Sequence, residues 1–290
     1  MMTGQRWEIT AKAVVNATGC FCDSVRKMDN PEIQDIVMPA AGVHIMLPAH
    51  FSPARMGLIV PKTTDGRVLF FLPWEGATLV GTTDSASKLT MSPQATDEEV
   101  NFIIQESNRY LSYNVHQSDV IAAWSGIRPL VQDPTLMDEE GTKALSRNHV
   151  IEVSKSKLVT VTGGKWTTFR RMAEDAVNAV QQSIPQMDDE NSISTVSNTA
   201  QSSLIGADRA GVVCAQKFDQ INVTLREKYS LSSDVAKHLV SNYGTRALQI
   251  AEIVRRNAAY AHSTAAARCL AIKYPILEAE VVFAVEQARN

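Results

Sequence analysis

The 290-residue sequence predicts a mixed α/β (α+β) fold, an antiparallel sheet followed by a smaller helical domain. Three observations lead there. The first 165 or so residues hold short, closely spaced strand-like runs broken by turn pairs. Two amphipathic helices interrupt them. From about residue 204 to the end, apolar residues recur at helical spacing.

In chain order, Lys12-Ala-Val-Val-Asn-Ala-Thr18 is an apolar run closed by Gly19, the pattern of a buried parallel strand. Gly42–Leu47, Gly57–Pro61, Arg67–Leu72 and Thr78–Gly81 follow, with Asp65-Gly66 and Trp74-Glu-Gly76 as turns, which predicts an antiparallel sheet over about 35–125. Thr96-x-x-Glu99 is a capping box, and Val100, Ile103, Ile104 and Leu111 then repeat at helical spacing. Asp119–Trp124 and Lys157–Thr162 add strands. A second helix begins near Trp166, with Phe169, Met172, Ala173, Ala176, Val177 and Val180 as its inner stripe and Arg170, Arg171, Glu174 and Asp175 outside. Residues 1–185 thus form one domain. The polar, Ser-rich stretch 186–203 is a linker, and 204–290 is an α-helical domain whose stripes are Ala247, Ile250, Ala251, Val254 and Leu277, Val281, Ala284, Val285.

Composition narrows the function. Lys and Arg number 28 against 31 Asp and Glu, a net charge of −3, without the basic excess of a nucleic-acid binder. The cysteines Cys20, Cys22, Cys214 and Cys269 offer one C-x-C pair and no second, so no metal site is expected. They are expected as reduced thiols of an intracellular protein. The sequon at Asn16 lies in an apolar run, where glycosylation is not expected. No apolar run reaches the ~18 residues that would span a bilayer. The first ten residues resemble neither a presequence nor a signal peptide and read as the middle of a domain.

Four segments carry candidate chemistry. Leu158-Val-Thr-Val-Thr-Gly163-Gly164-Lys165-Trp-Thr167-Thr168 is a strand, a Gly-Gly turn and a helix start. Paired glycines allow close backbone approach, and first-turn amides favour anions. The bland alternative is a plain strand-to-helix turn. A P-loop is excluded, because Val159 and Trp166 stand where Gly and Ser or Thr are needed. Val14-Val-Asn-Ala-Thr18-Gly19 ends a strand in a small turn, suited to a cofactor or merely to a chain reversal. Arg128, kept extended by Pro129, is either a phosphate fork or a solvated charge on a loop. His44 interrupts an apolar strand, as a general base or as a hydrogen-bonded core residue.

Taken in order, Val-Val-Asn-Ala-Thr-Gly, Gly-Val-His-Ile, Gly-Arg-Val-Leu-Phe-Phe-Leu-Pro-Trp, Val-Gly-Thr82-Thr83-Asp84, Ala-Trp-Ser-Gly-Ile-Arg-Pro-Leu, Ser-Arg-Asn-His149 and Thr-Gly-Gly-Lys-Trp-Thr-Thr-Phe-Arg-Arg-Met-Ala-Glu-Asp resemble the mitochondrial-type, FAD-dependent glycerol-3-phosphate dehydrogenases, most strongly over residues 11–180. The resemblance implies a flavoprotein fold of D-amino-acid-oxidase type, with a substrate-cap sheet and a helical C-terminal domain. It implies oxidation of sn-glycerol 3-phosphate to dihydroxyacetone phosphate, hydride transfer to FAD, electron delivery to ubiquinone, and peripheral attachment to the mitochondrial inner membrane. By residue it implies His44 at the reacting carbon and Arg128 and Lys165 on the substrate anion. The flavin contacts it implies are Thr18, Gly19, Gly163, Gly164 and Thr167.

The sequence departs from that pattern in one large respect. Its fourteen glycines include no G-x-G, the turn that opens a dinucleotide-binding βαβ unit. A truncated member of the family is therefore expected, binding FAD weakly when expressed alone, with a non-catalytic remnant or binding module as the alternative. The turn after Gly19 reads Cys-Phe-Cys-Asp where the family usually places Pro first, and no EF-hand loop is appended. The phosphate-suited pair Arg128 and Lys165 argues against a flavin amine or hydroxy-acid oxidase.

Overall fold

The structure, a computed structural model, describes residues 4, 6–53, 56–137, 143–146, 148–184, 196–207, 215–256, 261–262, 266–267, 269–271 and 274–288. The chain divides into two compact units, Met1–Ser197 and Asn198–Asn290. Most of the expected linker at 186–203 lies outside the described residues, as does Cys214.

The first unit opens with β1 (Val15–Asn16) and α1 (Cys22–Asp29), then β2 (Val37–Pro48), β3 (Leu58–Val60), β4 (Leu69–Trp74), β5 (Ala77–Gly81) and β6 (Ser85–Ala86). Helix α2 (Asp97–Ser107) leads to β7 (Ala122–Met137), β8 (Lys143–Ser146), β9 (His149–Val153), β10 (Val159–Gly163) and α3 (Phe169–Ser183). Among the described residues, seven strands form one antiparallel sheet in the order β3-β4-β5-β2-β7-β8, with β6 added against β2.

Alternation along β2 sends Val43, Ile45 and Leu47 to one face, where they meet Val60, Leu69, Phe71 and Val80 and are closed over by Val100, Ile103 and Ile104 of α2. Burial of each such side chain contributes about 1.5–3 kcal/mol, which fixes the register of β2. Thr96 caps α2, its Oγ1 accepting from Glu99 N–H, but the reciprocal half of the expected capping box is replaced, because the Glu99 carboxylate accepts from the hydroxyls of Thr83 and Thr96.

A second sheet of three strands, β1-β10-β9, pairs β1 parallel to β10 and β10 antiparallel to β9. The expected parallel strand is present but shorter, and it is less buried. Val14 and Val15 are 58% and 45% exposed, because β1 has a partner on one side only among the described residues. Arg128 and Pro129, read as a loop, lie inside β7, whose extended backbone suits the residue before a proline. The strand expected from Asp119 starts at Ala122, after a turn of 3₁₀ helix at Gln117–Asp119.

On α3 the inner stripe is misplaced. Ala176 is buried, but Phe169 and Val177 are each 55% exposed. Asp175 and Glu174 are instead partly covered, because Asp175 pairs with His149 of β9 and both carboxylates pair with Arg171. The ion-paired edge is turned toward the sheet.

The second unit holds α4 (Ala215–Glu227), α5 (Ser233–Tyr243), α6 (Ala247–Arg256), the short strands β11 (Ala261–His262), β12 (Ala266–Ala267), β13 (Cys269–Ala271) and β14 (Tyr274–Leu277), and α7 (Glu278–Ala288). The expected unbroken helical pattern is thus interrupted by two small antiparallel pairs. The α6 stripe Ala247, Ile250, Ala251 and Val254 is buried as read. Of the stripe at Leu277, Val281, Ala284 and Val285, Leu277 is buried as read, but Val281 and Val285 are about half exposed and Ala279, Glu280 and Phe283 are buried in their place. Glu280 reverses the pattern because it accepts from Leu277 N–H and Tyr243 O–H and pairs with His238.

Candidate active site

His44 lies at an even position of β2, on the sheet face opposite α2. Its register partners are Gly81 on β5 and Trp124 on β7. Its ring stacks on Trp124 with centroids 6.0 Å apart and planes 17° apart. A Cβ on Gly81 would overlap the imidazole, so this glycine makes the room. Burial first, and the positive charge of Arg128 second, hold the His44 pKa below its ordinary 6.5. The imidazole is therefore neutral at physiological pH, the state a proton acceptor requires.

Arg128, opposite Ala40 in the same strand pair, projects from the same face. Its guanidinium lies over Gly42, where a Cβ would overlap it. Nη2 donates to Thr82 Oγ1 at 2.7 Å, and Nη1 donates to Thr83 O at 3.1 Å and pairs with Asp84 at 3.2 Å. Thr83 is 1% exposed and ties these parts together. Its hydroxyl accepts from Val43 N–H and donates to Glu99 Oε1, both at 2.9 Å. Glu99, read from sequence only as a capping residue, thus also secures the strand segment beside His44.

The flavin candidates converge separately. Gly19 follows β1 and Gly163 ends β10, and parallel pairing puts both turns at the same end of the small sheet. Thr162 Oγ1 donates to Gly19 O at 3.4 Å, joining them. Thr18 is held by its hydroxyl bond to Asn16 at 2.7 Å. Gly163 and Gly164 have φ of +78° and +68°, a region that L side chains avoid, and added Cβ atoms would strike Val131 and Met172 at 2.8 Å. The next residues turn as a 3₁₀ helix at Trp166–Thr168 before α3, leaving first-turn amides without intrahelical acceptors. Lys165 and Thr167 are exposed there. A Cβ on Gly19 would meet nothing within 4 Å, so that backbone is open to a ligand.

This set fits the ring end of a flavin: an open backbone turn at Gly19, a positive-φ Gly-Gly turn packed on Val131 and Met172, a helix start for an anionic edge and a lysine beside it. β7 packs against both the Gly19 turn and β10, which links the two halves within the unit. Among the described residues, no hydrogen bond or ion pair joins Lys165 to Arg128 or His44. Sequence reasoning missed Thr82, Thr83 and Asp84 as ligands of Arg128, Trp124 as the stacking partner of His44, and the His149–Asp175 pair at 2.9 Å. The only signal for the first three was their place in one of the family-like strings. No group of three or more His, Cys, Asp or Glu side chains suited to a metal occurs among the described residues. Cys20 and Cys22 are in no disulfide, and burial raises Cys22 to about 11.

Residues 2–170 match the family model described as FAD dependent oxidoreductase, and residues 197–289 match the C-terminal domain of alpha-glycerophosphate oxidase. The chain belongs to the FAD dependent oxidoreductases, with the D-amino-acid-oxidase type of fold and a helical C-terminal domain. Within that class it is similar to a probable mitochondrial glycerol-3-phosphate dehydrogenase of Caenorhabditis elegans, 43% identical over 99% of this chain and 38% of that protein. The mitochondrial glycerol-3-phosphate dehydrogenase of Homo sapiens is 41% identical over 99% of this chain and 37% of its own length. The chain therefore spans well under half of these curated relatives. The structure of the glycerol-3-phosphate dehydrogenase from Bacillus halodurans, solved with FAD, aligns with a TM-score of 0.68 at 28% identity, covering 86% of this chain and 46% of that one.

Proposed function

We propose that the chain supplies the substrate-cap and flavin-edge part of an enzyme that oxidises sn-glycerol 3-phosphate to dihydroxyacetone phosphate. The observation that carries this reading is the placement of His44 and Arg128 on one face of the sheet, with Arg128 held by Thr82 and Thr83 and Thr83 tied to Val43 beside His44. Arg128 offers its guanidinium charge and N–H donors to the substrate phosphate, and Lys165 adds a second positive charge. His44 accepts the C2 hydroxyl proton as the carbonyl forms. FAD, when bound against Gly19, Gly163, Gly164 and Thr167, supplies the acceptor for the hydride. The relatives are named mitochondrial, which supports a mitochondrial location. In this reading electrons pass to ubiquinone at the inner-membrane surface. Peripheral attachment at that surface is part of the same proposal; no helix among the described residues is long and apolar enough to cross a membrane.

The test is anaerobic mixing of the flavin-loaded protein with sn-glycerol 3-phosphate. Bleaching of the flavin absorbance with formation of dihydroxyacetone phosphate is expected. Bleaching by glycerol or an amino acid, and not by the phosphate ester, overturns the proposal. The same spectrum of the purified chain alone measures how much flavin these residues retain.

A further inference from the structure

Arg128 is already paired. Asp84 Oδ1 lies 3.2 Å from Nη1, while Thr82 and Thr83 hold the guanidinium from the same side. Asp84 has no other hydrogen-bond or ion-pair partner among the described residues, and its side chain is 52% exposed. The fold uses Thr83 for anchoring. Asp84 contributes nothing to that anchoring except its charge beside Arg128.

We infer that Asp84 is a specificity-determining counter-ion, a tethered carboxylate that excludes singly charged acids from Arg128 and yields only to a phosphate dianion. The inference rests on the phosphate reading of Arg128 above. A carboxylate on the chain two residues from Thr82 competes with free ligands at an effective concentration on the order of millimolar. Exchange of one carboxylate for another gains little, because charge and acceptor geometry are the same. A phosphate dianion brings twice the charge and a third acceptor oxygen, so the exchange favours it. Asp84 is half exposed and is free to swing into water as the dianion enters.

The experiment titrates the purified chain with inorganic phosphate and, separately, with acetate at about pH 8. It follows the Arg128 Nε–H resonance, assigned by its loss in Arg128→Lys. Wild type is expected to prefer phosphate. Asp84→Asn is expected to raise acetate affinity about three- to fivefold, the scale of a partly exposed ion pair, and phosphate affinity by less. The phosphate-to-acetate ratio then falls, and Asp84→Glu restores it. An unchanged ratio in Asp84→Asn overturns the inference while leaving the phosphate reading intact. If neither anion shifts the Arg128 resonance in wild type, the phosphate reading itself fails and takes the inference with it.

Discussion

The imidazole of His44 fills the space that a side chain on Gly81 would need. The two residues face each other across β2 and β5, so the strand pairing that builds the sheet also fixes the ring. Gly81→Ala should force the ring or the strand to move, since the backbone carbonyl of Val43 closes the other side at 3.0 Å. Overpacking of this kind costs about 1–3 kcal/mol. Urea denaturation should show that loss, and turnover of the loaded enzyme should fall further than the folded fraction. An active, equally stable Gly81→Ala protein would remove the glycine from the argument.

His44→Ala should lower turnover by about 10²–10⁴, the usual contribution of a general base. In wild type the acid limb of kcat/KM should lie below pH 6.5, because burial and then Arg128 depress the His44 pKa. Stability follows the same sign. The unfolded chain, with its higher pKa, binds more protons as pH falls below 6.5. The contribution is whole above that value and is lost as pH falls through the folded pKa. His44→Ala should abolish this component of a stability-against-pH curve, and an unaltered curve would contradict it.

Thr83→Val keeps the shape of the side chain but leaves the Val43 N–H without its acceptor. A buried donor left unpaired costs about 1–3 kcal/mol. Thr83→Ser retains the hydroxyl and should recover most of it. KM for the phosphate ester should rise in Thr83→Val, since Thr83 O is also an acceptor for Arg128. Thermal melts and initial rates of the three proteins decide the matter.

Local patterns revealed the strands, the α2 cap and the Gly-Gly turn, because alternation, capping and positive φ leave marks within a few residues. They did not reveal why Arg128 matters. Its acceptors Thr82 and Thr83 come from the segment joining β5 to β6, distant in sequence, and no short window joins them to β7. Pro129 correctly excludes a helix, yet an extended residue is as much a strand as a loop, so the sequence alone does not place Arg128 in β7. The α7 and α3 faces were misjudged for a related reason. Glu280 and Asp175 sit inward because partners on other elements satisfy them, and periodicity counts any carboxylate as outward.

Gly163→Ala should weaken both the turn and its ligand. The new Cβ would lie 2.8 Å from Val131 Cγ2 and 3.0 Å from Asn148 O, at a φ of +78°. Strain of this class costs about 1–3 kcal/mol. Flavin retention on desalting, read by absorbance, should drop in parallel. Retention equal to wild type would mean that the flavin does not approach this backbone.

The pairing of β2 with β7 places His44 opposite Trp124 and Ala40 opposite Arg128. A one-residue slip of β2 would turn His44 into the apolar layer of Phe71 and Ile103 and present Val43 or Ile45 in its place. A molecule paired out of step is therefore both unstable and chemically silent. Destabilised variants that leave this register alone should lose active molecules in number, while each surviving molecule works at the wild-type rate. Active-site titration would then report folding yield directly, making the catalytic face an internal gauge of correct assembly.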